Sequence, residues 1–274
     1  MGIDSREKTI LHRIVNARRA SISHRKRVLP EVALKIVAEK RTPPALDFAA
    51  ALSQSGCNIV AELKKASPSL GVIRAEYAPA PLAAGVEKAG AVALSVLTEE
   101  DFFSGSLADL KEVRRVVQIP ILRKDFIIDP WQVWETRAAG ADSFLLIAAI
   151  LEDHNLRELL ELGRLLGMEP LVEVHSRREL DCVLSAGAHI VGVNNRNLHD
   201  FKVRLETSME LIEQIPDECV TVSESGLRSG DDLACLRRAG FDAFLIGEHL
   251  MKSANPAETL RAFLSSEQSP HSSA

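Results

Sequence analysis

Two charged residues interrupt an apolar run near residue 60. The run NIVAEL at residues 58–63 is typical of a buried strand, yet it contains Glu62 and is followed closely by Lys64. Side chains alternate across a strand, so these two charges share one face. A carboxylate beside an ammonium can serve acid–base chemistry, or it can be a neutralising ion pair that fixes the register of the strand.

Polar side chains also end several later apolar runs, in phase with apolar residues expected to face inward. They are Lys124, Glu173, Asn194, Arg196, Ser223 and Ser225. One such residue alone is usually a solvated residue at the rim, and Asn194 with Asn195 could be ordinary turn chemistry. Because these residues recur at the same end of successive runs, together they predict an acid–base site.

Eight short β-rich runs would position these residues. They span 58–63, 91–97, 119–125, 142–148, 169–174, 189–195, 219–225 and 243–248. The runs are nearly continuous in apolar residues and alternate with helical segments, as strands covered on both faces by helices should.

A repeat of helix end, glycine and strand marks every second run. Gly90, Gly140, Gly187 and Gly240 follow one another at intervals of 50, 47 and 53 residues. Glycine at these points suits the left-handed end of a helix. Eight strand–helix units with this period predict an α/β fold, a (β/α)8 TIM barrel, rather than an open sheet, which should carry a G-x-G-x-x-G turn after its first strand.

The chain of 274 residues is predicted to form one domain over residues 1–265. Residues 1–54 are expected to be an N-terminal helical extension divided by prolines, and residues 55–265 the barrel. The polar stretch 266–274 is predicted to be a disordered tail.

Charge is uneven along the chain. Residues 1–41 contain 11 Lys and Arg against 4 Asp and Glu, a local charge of +7, while the rest contains 22 against 34, or -12. The basic segment lacks interleaved aromatic residues, and Ile10, Leu11, Ile14 and Val15 give it the apolar stripe of a packed helix. We therefore expect no nucleic-acid partner, and predict that the basic residues form a solvated face or a collar near an anionic ligand.

Membrane and secreted classes are disfavoured by composition. No apolar run reaches the ~18 residues of a membrane span, and the first residues are polar and charged. The four cysteines are widely spaced, without metal-ligand spacing, so we expect reduced thiols in a cytoplasmic protein, no membrane partner and no metal.

Glycines also follow the last two strands. Gly226 comes after Ser225, and Gly247 comes after the eighth run. In a barrel, the loops after strands seven and eight often bind phosphate through backbone N–H groups. Structural glycine turns are the alternative reading.

Six blocks in order resemble indole-3-glycerol phosphate synthases, from the N-terminal helix to about residue 264. They are IVAELKKASPS, ILRKDFIIDPWQV, MEPLVEVH, GVNNRNL, SESGL and AFLIGEHLM. The resemblance implies a barrel with a helical extension over its mouth and no metal or organic cofactor. It implies a lyase of tryptophan biosynthesis that converts 1-(2-carboxyphenylamino)-1-deoxyribulose 5-phosphate to indole-3-glycerol phosphate, releasing CO2 and water.

The resemblance also implies roles for individual residues. Lys124 matches the general acid of ring closure, Glu173 the catalytic base, and Lys64 a lysine near the substrate carboxylate; Glu62 and Asn194 match further catalytic positions. Residues implied to line the substrate site are Ser67, Phe103, Leu145, Arg196 and Glu224. Those implied to cradle the phosphate are Ser225, Gly226 and Gly247. The chain departs from the family pattern at Leu70, Asn195 and His249.

Two alternatives remain open from the residues themselves. Another phosphosugar enzyme of the same fold, such as an isomerase or a Schiff-base aldolase using Lys124, would share the strand-end residues. A non-catalytic phosphosugar-binding barrel is the other. In each case the expected partner is a small phosphosugar, and the chain is expected to be a monomer or a weak homodimer.

Overall fold

Eight parallel strands close into a barrel in the computed structural model, which describes residues 9–40, 43–197 and 201–268. The strands are β1 (Asn58–Leu63), β2 (Ala93–Leu97), β3 (Ile121–Lys124), β4 (Ser143–Ile147), β5 (Leu171–Val174), β6 (Ile190–Asn194), β7 (Val220–Glu224) and β8 (Ala243–Ile246). Each strand pairs with its neighbours in sequence, and β8 closes on β1 with Val60 opposite Leu245. The predicted (β/α)8 barrel is confirmed, with every strand end within two residues of its predicted place.

Helices follow the strands and also precede them. Those before the barrel are α1 (Ile10–Val28), α2 (Glu31–Glu39) and α3 (Phe48–Leu52). Those that follow are α4 (Pro79–Ala89), α5 (Leu107–Arg114), α6 (Pro130–Ala139), α7 (Asp153–Leu165), α8 (Arg177–Ser185), α9 (Glu206–Ile212), α10 (Gly230–Ala239), α11 (Glu248–Lys252) and α12 (Pro256–Gln268). The predicted glycine repeat is present, because α4, α6 and α10 end at left-handed glycines and a fourth, Gly187, follows α8.

Alternate strand positions fill the barrel with apolar side chains. Leu122, Leu171 and Ile190 belong to one buried cluster with side chains from the other strands. Lys124, Glu173 and Asn194 have the same parity, so the inward direction predicted for their strands is correct.

The parity predicted for β7 is wrong. Val222 lies in the buried cluster inside the barrel, so Glu224, two residues on, faces inward. Ser223 faces outward, where its hydroxyl lies 2.9 Å from that of Ser208 on α9. Thr221 and Ser223 are both polar, and both point towards the helices, where buried hydrogen bonds satisfy them.

The helices before β1 contact opposite ends of the barrel. At the amino ends of the strands, Phe48 and Leu52 of α3 are buried in the inner cluster, and the Asn58 amide donates to the carbonyl of Leu52. At the carboxyl ends, Leu11 of α1 joins the same cluster, and the Arg13 guanidinium lies 5.7 Å from the ring centre of Phe102. The α1 helix therefore packs beside the mouth.

The basic residues of α1 are more than a solvated face. Arg18 is 3% exposed and lies 2.7 Å from Asp125 at the end of β3. Arg25 pairs with Glu135 of α6, and Lys26 pairs with a further carboxylate of the same region. The predicted solvated face or collar is therefore wrong for Arg18 and Arg25, whose charges attach the extension to the barrel, whereas Lys26 stays substantially exposed.

The last helix runs into the segment predicted to be a tail. It continues to Gln268, and residues 269–274 lie outside the described residues. Within the described part of the chain, no helix is long and apolar enough to cross a membrane. No group of three or more His, Cys, Asp or Glu in that part is arranged to hold a metal ion.

Candidate active site

Lys124 lines a cavity at the carboxyl ends of the strands. Its Nζ lies 2.5 Å from Oε2 of Glu224 and 3.1 Å from Oε2 of Glu173. All three side chains are largely buried, and they come from β3, β7 and β5. Strands distant in sequence thus meet around one ammonium.

Burial and like charge give the members of this cluster different proton affinities. Burial would lower the pKa of Lys124, but the carboxylates of Glu224, Glu173 and Glu62 outweigh it and raise that pKa. Burial, followed by repulsion from Glu173, raises the pKa of Glu224 to about 7 although Lys124 opposes the shift. For Glu173 burial is outweighed by Lys124 and His175, so its pKa is lowered. The two carboxylates that contact the Lys124 ammonium therefore differ in pKa: Glu173 is held ionised, and Glu224 can titrate near neutrality.

A second ion pair lies across the cavity. Lys64 Nζ is 2.6 Å from Oε1 of Glu62, so the neutralising pair considered for β1 is present, and it faces the same cavity as Lys124. Gly247 makes room for it, because a β-carbon there would overlap the Glu62 carboxylate. Gly192 likewise leaves space for the carboxylate of Glu224. Gly192 on β6 and Gly247 just after β8 thus each make room for an inward-facing carboxylate of the adjacent strand.

The segment after β6 supplies an amide and a guanidinium. Asn194 Oδ1 accepts from the backbone N–H of Arg196 at 3.0 Å, which orders the start of the segment. The Arg196 guanidinium lies 2.8 Å from Glu248, the first residue of α11. The neighbouring Asn195 turns away from the cavity and donates to the hydroxyl of Ser223 at 3.1 Å.

Backbone conformation is unusual after β7. Ser225 and Gly226 have φ of 68° and 84°, so two successive residues are left-handed. A β-carbon at Gly226 would also overlap Val203 of the preceding loop. A non-glycine residue in this conformation costs about 1–3 kcal/mol and is found most often at functional sites.

An apolar wall completes the cavity on the side of β2 to β4. Phe103 faces it with its ring centre 6.0 Å from that of Phe126, and Leu145 lies beside them. Glu99 holds the loop that carries Phe103, because its Oε2 accepts from the N–H groups of Phe102 and Phe103 at 2.7 and 3.1 Å. A flat aromatic substrate could pack against this wall.

Every residue predicted for the site except Ser223 lines this cavity of about 160 Å³. The lining includes Glu62, Lys64, Ser67, Phe103, Lys124, Leu145, Glu173, Asn194, Arg196, Glu224, Ser225, Gly226 and Gly247. The predictions did not include Phe126 or Glu248, which also line it. Phe126 follows Lys124 at inward spacing, a signal that parity alone could have supplied.

A closed (β/α)8 barrel that carries acid–base groups at the carboxyl ends of its strands is characteristic of an enzyme. The sequence profile described as indole-3-glycerol phosphate synthase matches residues 11–263 of the chain. The chain belongs to the indole-3-glycerol phosphate synthase family.

Curated relatives agree with that membership. A protein named indole-3-glycerol phosphate synthase from Dehalococcoides mccartyi (strain CBDB1) is 45% identical over 258 residues, which cover 93% of this chain and all of the relative. One of the same name from Rhodococcus jostii (strain RHA1) is 47% identical over 92% of this chain and 93% of the relative. A solved 3-hexulose-6-phosphate synthase from Salmonella typhimurium, at 12% identity and a TM-score of 0.62, covers 76% of this chain and 97% of its own, and shows the fold alone.

Proposed function

We propose that this chain converts 1-(2-carboxyphenylamino)-1-deoxyribulose 5-phosphate to indole-3-glycerol phosphate in the cavity at the barrel mouth. The observation that carries the proposal is the Lys124 ammonium, held by Glu173 and Glu224 beside an apolar wall. Membership of the family supports the choice of substrate.

Ring closure needs an acid. The aromatic carbon that bears the carboxylate attacks the ketone carbon, and the ketone oxygen develops negative charge. Lys124 donates a proton to this oxygen, which a buried ammonium can do without bulk water. The bond to the carboxylate then breaks, CO2 leaves, and the electron pair restores the aromatic ring.

Loss of water needs a base and an acid. Glu173, whose pKa is lowered in the cluster, is ionised and takes the proton lost from the substrate. Lys64 gives a proton to the departing hydroxyl, and its partner Glu62 holds the ammonium in place at 2.6 Å. Asn194 orients the hydroxyl through its amide.

Substrate groups match the rest of the lining. The benzoate packs on Phe103 and Leu145, and its carboxylate lies near Lys64. Backbone N–H groups of Gly226 and Gly247 bind the phosphate. The other polar contacts to substrate come from Ser67, Arg196, Glu224 and Ser225.

The Schiff-base aldolase alternative is less well supported. It needs a neutral Lys124 amine as nucleophile. The surrounding carboxylates raise the pKa of Lys124 despite its burial, so its ammonium form dominates. Borohydride with a phosphosugar ketone or aldehyde should therefore leave no adduct on this lysine.

The test is incubation with the carboxyphenylamino-deoxyribulose phosphate while indole fluorescence is recorded. The wild-type chain should form product, and Lys124→Met should reduce kcat by about 10²–10⁴-fold. Lys111→Met changes an exposed lysine and is the matched control, which should match wild type. Near-normal turnover by folded Lys124→Met would remove Lys124 from the mechanism.

Compartment and assembly form part of the same proposal. None of the four cysteines, all within the described residues, forms a disulfide, as a reducing compartment favours. We place the chain in the cytoplasm as a monomer acting on a small molecule, which light scattering at working concentration tests for its oligomeric part.

A further inference from the structure

A histidine with no role in the steps above lies directly behind Glu173. His175 Nε2 is 3.4 Å from Oε1 of Glu173, and His175 Nδ1 is 3.4 Å from Oε2 of Glu179. Both ring nitrogens are buried, and among the described residues neither has a hydrogen-bond partner of good geometry. The ring therefore stands between two carboxylates, one in the cavity and one outside it.

Glu179 is fixed in place behind the ring. It lies in the first turn of α8, where the Ser176 hydroxyl caps its backbone N–H at 3.3 Å. Its Oε2 also accepts from the backbone N–H of His175 at 2.6 Å. Helix α8, to which Glu179 belongs, and the backbone at the end of β5 thus both position the Glu179 carboxylate.

The surroundings favour a charged ring. Burial disfavours the imidazolium, but the carboxylates of Glu179, Glu173 and Glu224 outweigh burial and raise the pKa of His175. On the outer side, the charged residues that share a groove with His175 are Arg177, Lys202, Arg204 and Glu210.

Each carboxylate oxygen of Glu173 therefore lies near a different cationic side chain. Lys124 holds Oε2, and His175 faces Oε1. When Lys124 gives its proton to the substrate it becomes neutral, and Glu173 loses that partner just before it must act as base. A second cation that does not take part in the chemistry would keep Glu173 ionised and oriented through that step.

We propose that His175, held by Glu179, is a positioning residue that keeps Glu173 oriented and ionised while Lys124 cycles between its charged and neutral forms. This inference rests on the proposed function. In this role the His175 ring gives no proton to Glu173 or to the substrate.

The test compares His175→Gln with wild type over a range of pH. Gln can still donate a hydrogen bond but carries no charge. We expect kcat to fall by roughly tenfold near neutral pH and KM to stay within about twofold. Removing the cation also raises the pKa of Glu173, so the acid limb of the kcat profile should move to higher pH by about one unit. A purely structural role would not move that limb.

Glu179→Gln is the second variant and keeps the experiment decisive if His175→Gln does not fold. It should move the same limb in the same direction by a smaller amount. His189→Asn, an exposed histidine near Glu169, is the matched control and should not move it. Folded variants with the wild-type limb, with or without a lower kcat, overturn the proposal. Failure of wild type to form any indole product would instead overturn the proposed function.

Discussion

Three consecutive charged residues at the end of β3 place their side chains on opposite sides of the barrel wall. Lys124 lines the cavity, while the side chains of Arg123 and Asp125 pair with each other and with residues of α6 and α1. The outer pair lie 3.0 Å apart, and each has a second partner, Glu135 at 2.9 Å and Arg18 at 2.7 Å respectively. The end of β3 therefore belongs to two buried charge clusters. The outer cluster consists of Arg123, Asp125, Glu135 and Arg18, and the inner cluster is the one around Lys124 in the cavity.

The two clusters differ in how their charges are matched. In the outer cluster two arginines face two carboxylates, and Arg123 and Arg18 overcome burial to lower the pKa of Asp125. In the cavity carboxylates outnumber cations, and Glu224 Oε1 has no hydrogen-bond partner within the described residues. We infer that the outer cluster fixes the strand end, so that the inner one can hold an unmatched carboxylate ready for substrate.

Breaking the outer cluster should give the largest loss of stability. Asp125→Ala leaves Arg18 buried beside an empty site and removes the acceptor of the Thr98 hydroxyl at 2.6 Å. We expect the free energy of unfolding to fall by about 3–5 kcal/mol in urea titrations. Asp181→Ala, which removes an exposed partner of Arg177, should change it by less than about 0.5 kcal/mol. Equal losses in the two variants would mean that the outer cluster does not fix the strand.

Stability contributed by Glu224 of the inner cluster should change with pH in the opposite direction to that contributed by Asp125 of the outer cluster. The pKa of Glu224 is raised to about 7 from 4.5, so the folded state binds more protons than the unfolded state between these values. Stability therefore falls as pH rises through this window, by on the order of 3 kcal/mol. Asp125, with a lowered pKa, contributes stability that is lost only as pH falls below about 4.

Glu224→Gln isolates the inner contribution. Urea unfolding of wild type and variant between pH 4.5 and 8 should show wild type losing stability relative to the variant as pH rises. His175 also has a raised pKa and loses stability in the same direction; because Glu224 contributes to that shift, the variant should lose part of the His175 contribution as well, which acts in the same direction. Glu161→Gln on the exposed face of α7 is the control and should follow wild type. A constant difference between wild type and Glu224→Gln would exclude titration of Glu224 in this range.

A methyl group at Gly247 should disturb the inner cluster without touching the outer one. It would overlap the side chain of Glu62 and force it from Lys64. We expect a loss of about 1–3 kcal/mol in stability and a fall in kcat/KM. Gly85→Ala, where the new carbon would meet only Ala257 at 3.8 Å, is the control and should be neutral or stabilising.

A double-mutant cycle identifies the contact responsible. If the clash is with Glu62, most of the stability lost in Gly247→Ala should disappear when Glu62 is also replaced by Ala. An unchanged loss in the double variant would assign the strain to the β-carbon of residue 62, which the alanine keeps, or to the backbone of Gly247.

Sequence predicted the inner cluster far better than the outer one. Period-two alternation and apolar neighbours were enough to direct Lys124 and Glu173 inward. The same rule failed at β7, because buried Ser223 and Thr221 are polar residues that face helices. Glu224 was found only through resemblance to a family.

The outer cluster was not predicted because its partners are distant in sequence. Arg18 and Asp125 are 107 residues apart, and no local pattern connects a basic residue of a helix to one strand end. An amphipathic stripe shows that a helix packs, but does not show which of its charges are buried with it. The excess of basic residues in the extension therefore resembled a solvated face.

The smallest expected effect concerns Lys26, which we compare with Arg18 on the same helix, α1. Lys26 lies 2.7 Å from Asp129, but both side chains are substantially exposed, so water and salt screen the pair. Lys26→Met should lower the free energy of unfolding by less than about 1 kcal/mol, and the loss should shrink in 1 M salt, where the Debye length is about 3 Å. The Asp129 cap on α6 through Trp131 N–H stays intact, which makes the lysine the cleaner side of the pair to change. Arg18→Met should cost more and keep its cost in high salt, because its partner Asp125 is buried with it. Equal salt dependence of the two variants would mean that the buried contact between α1 and the barrel is no stronger than a surface pair, and that the outer cluster does not anchor the extension.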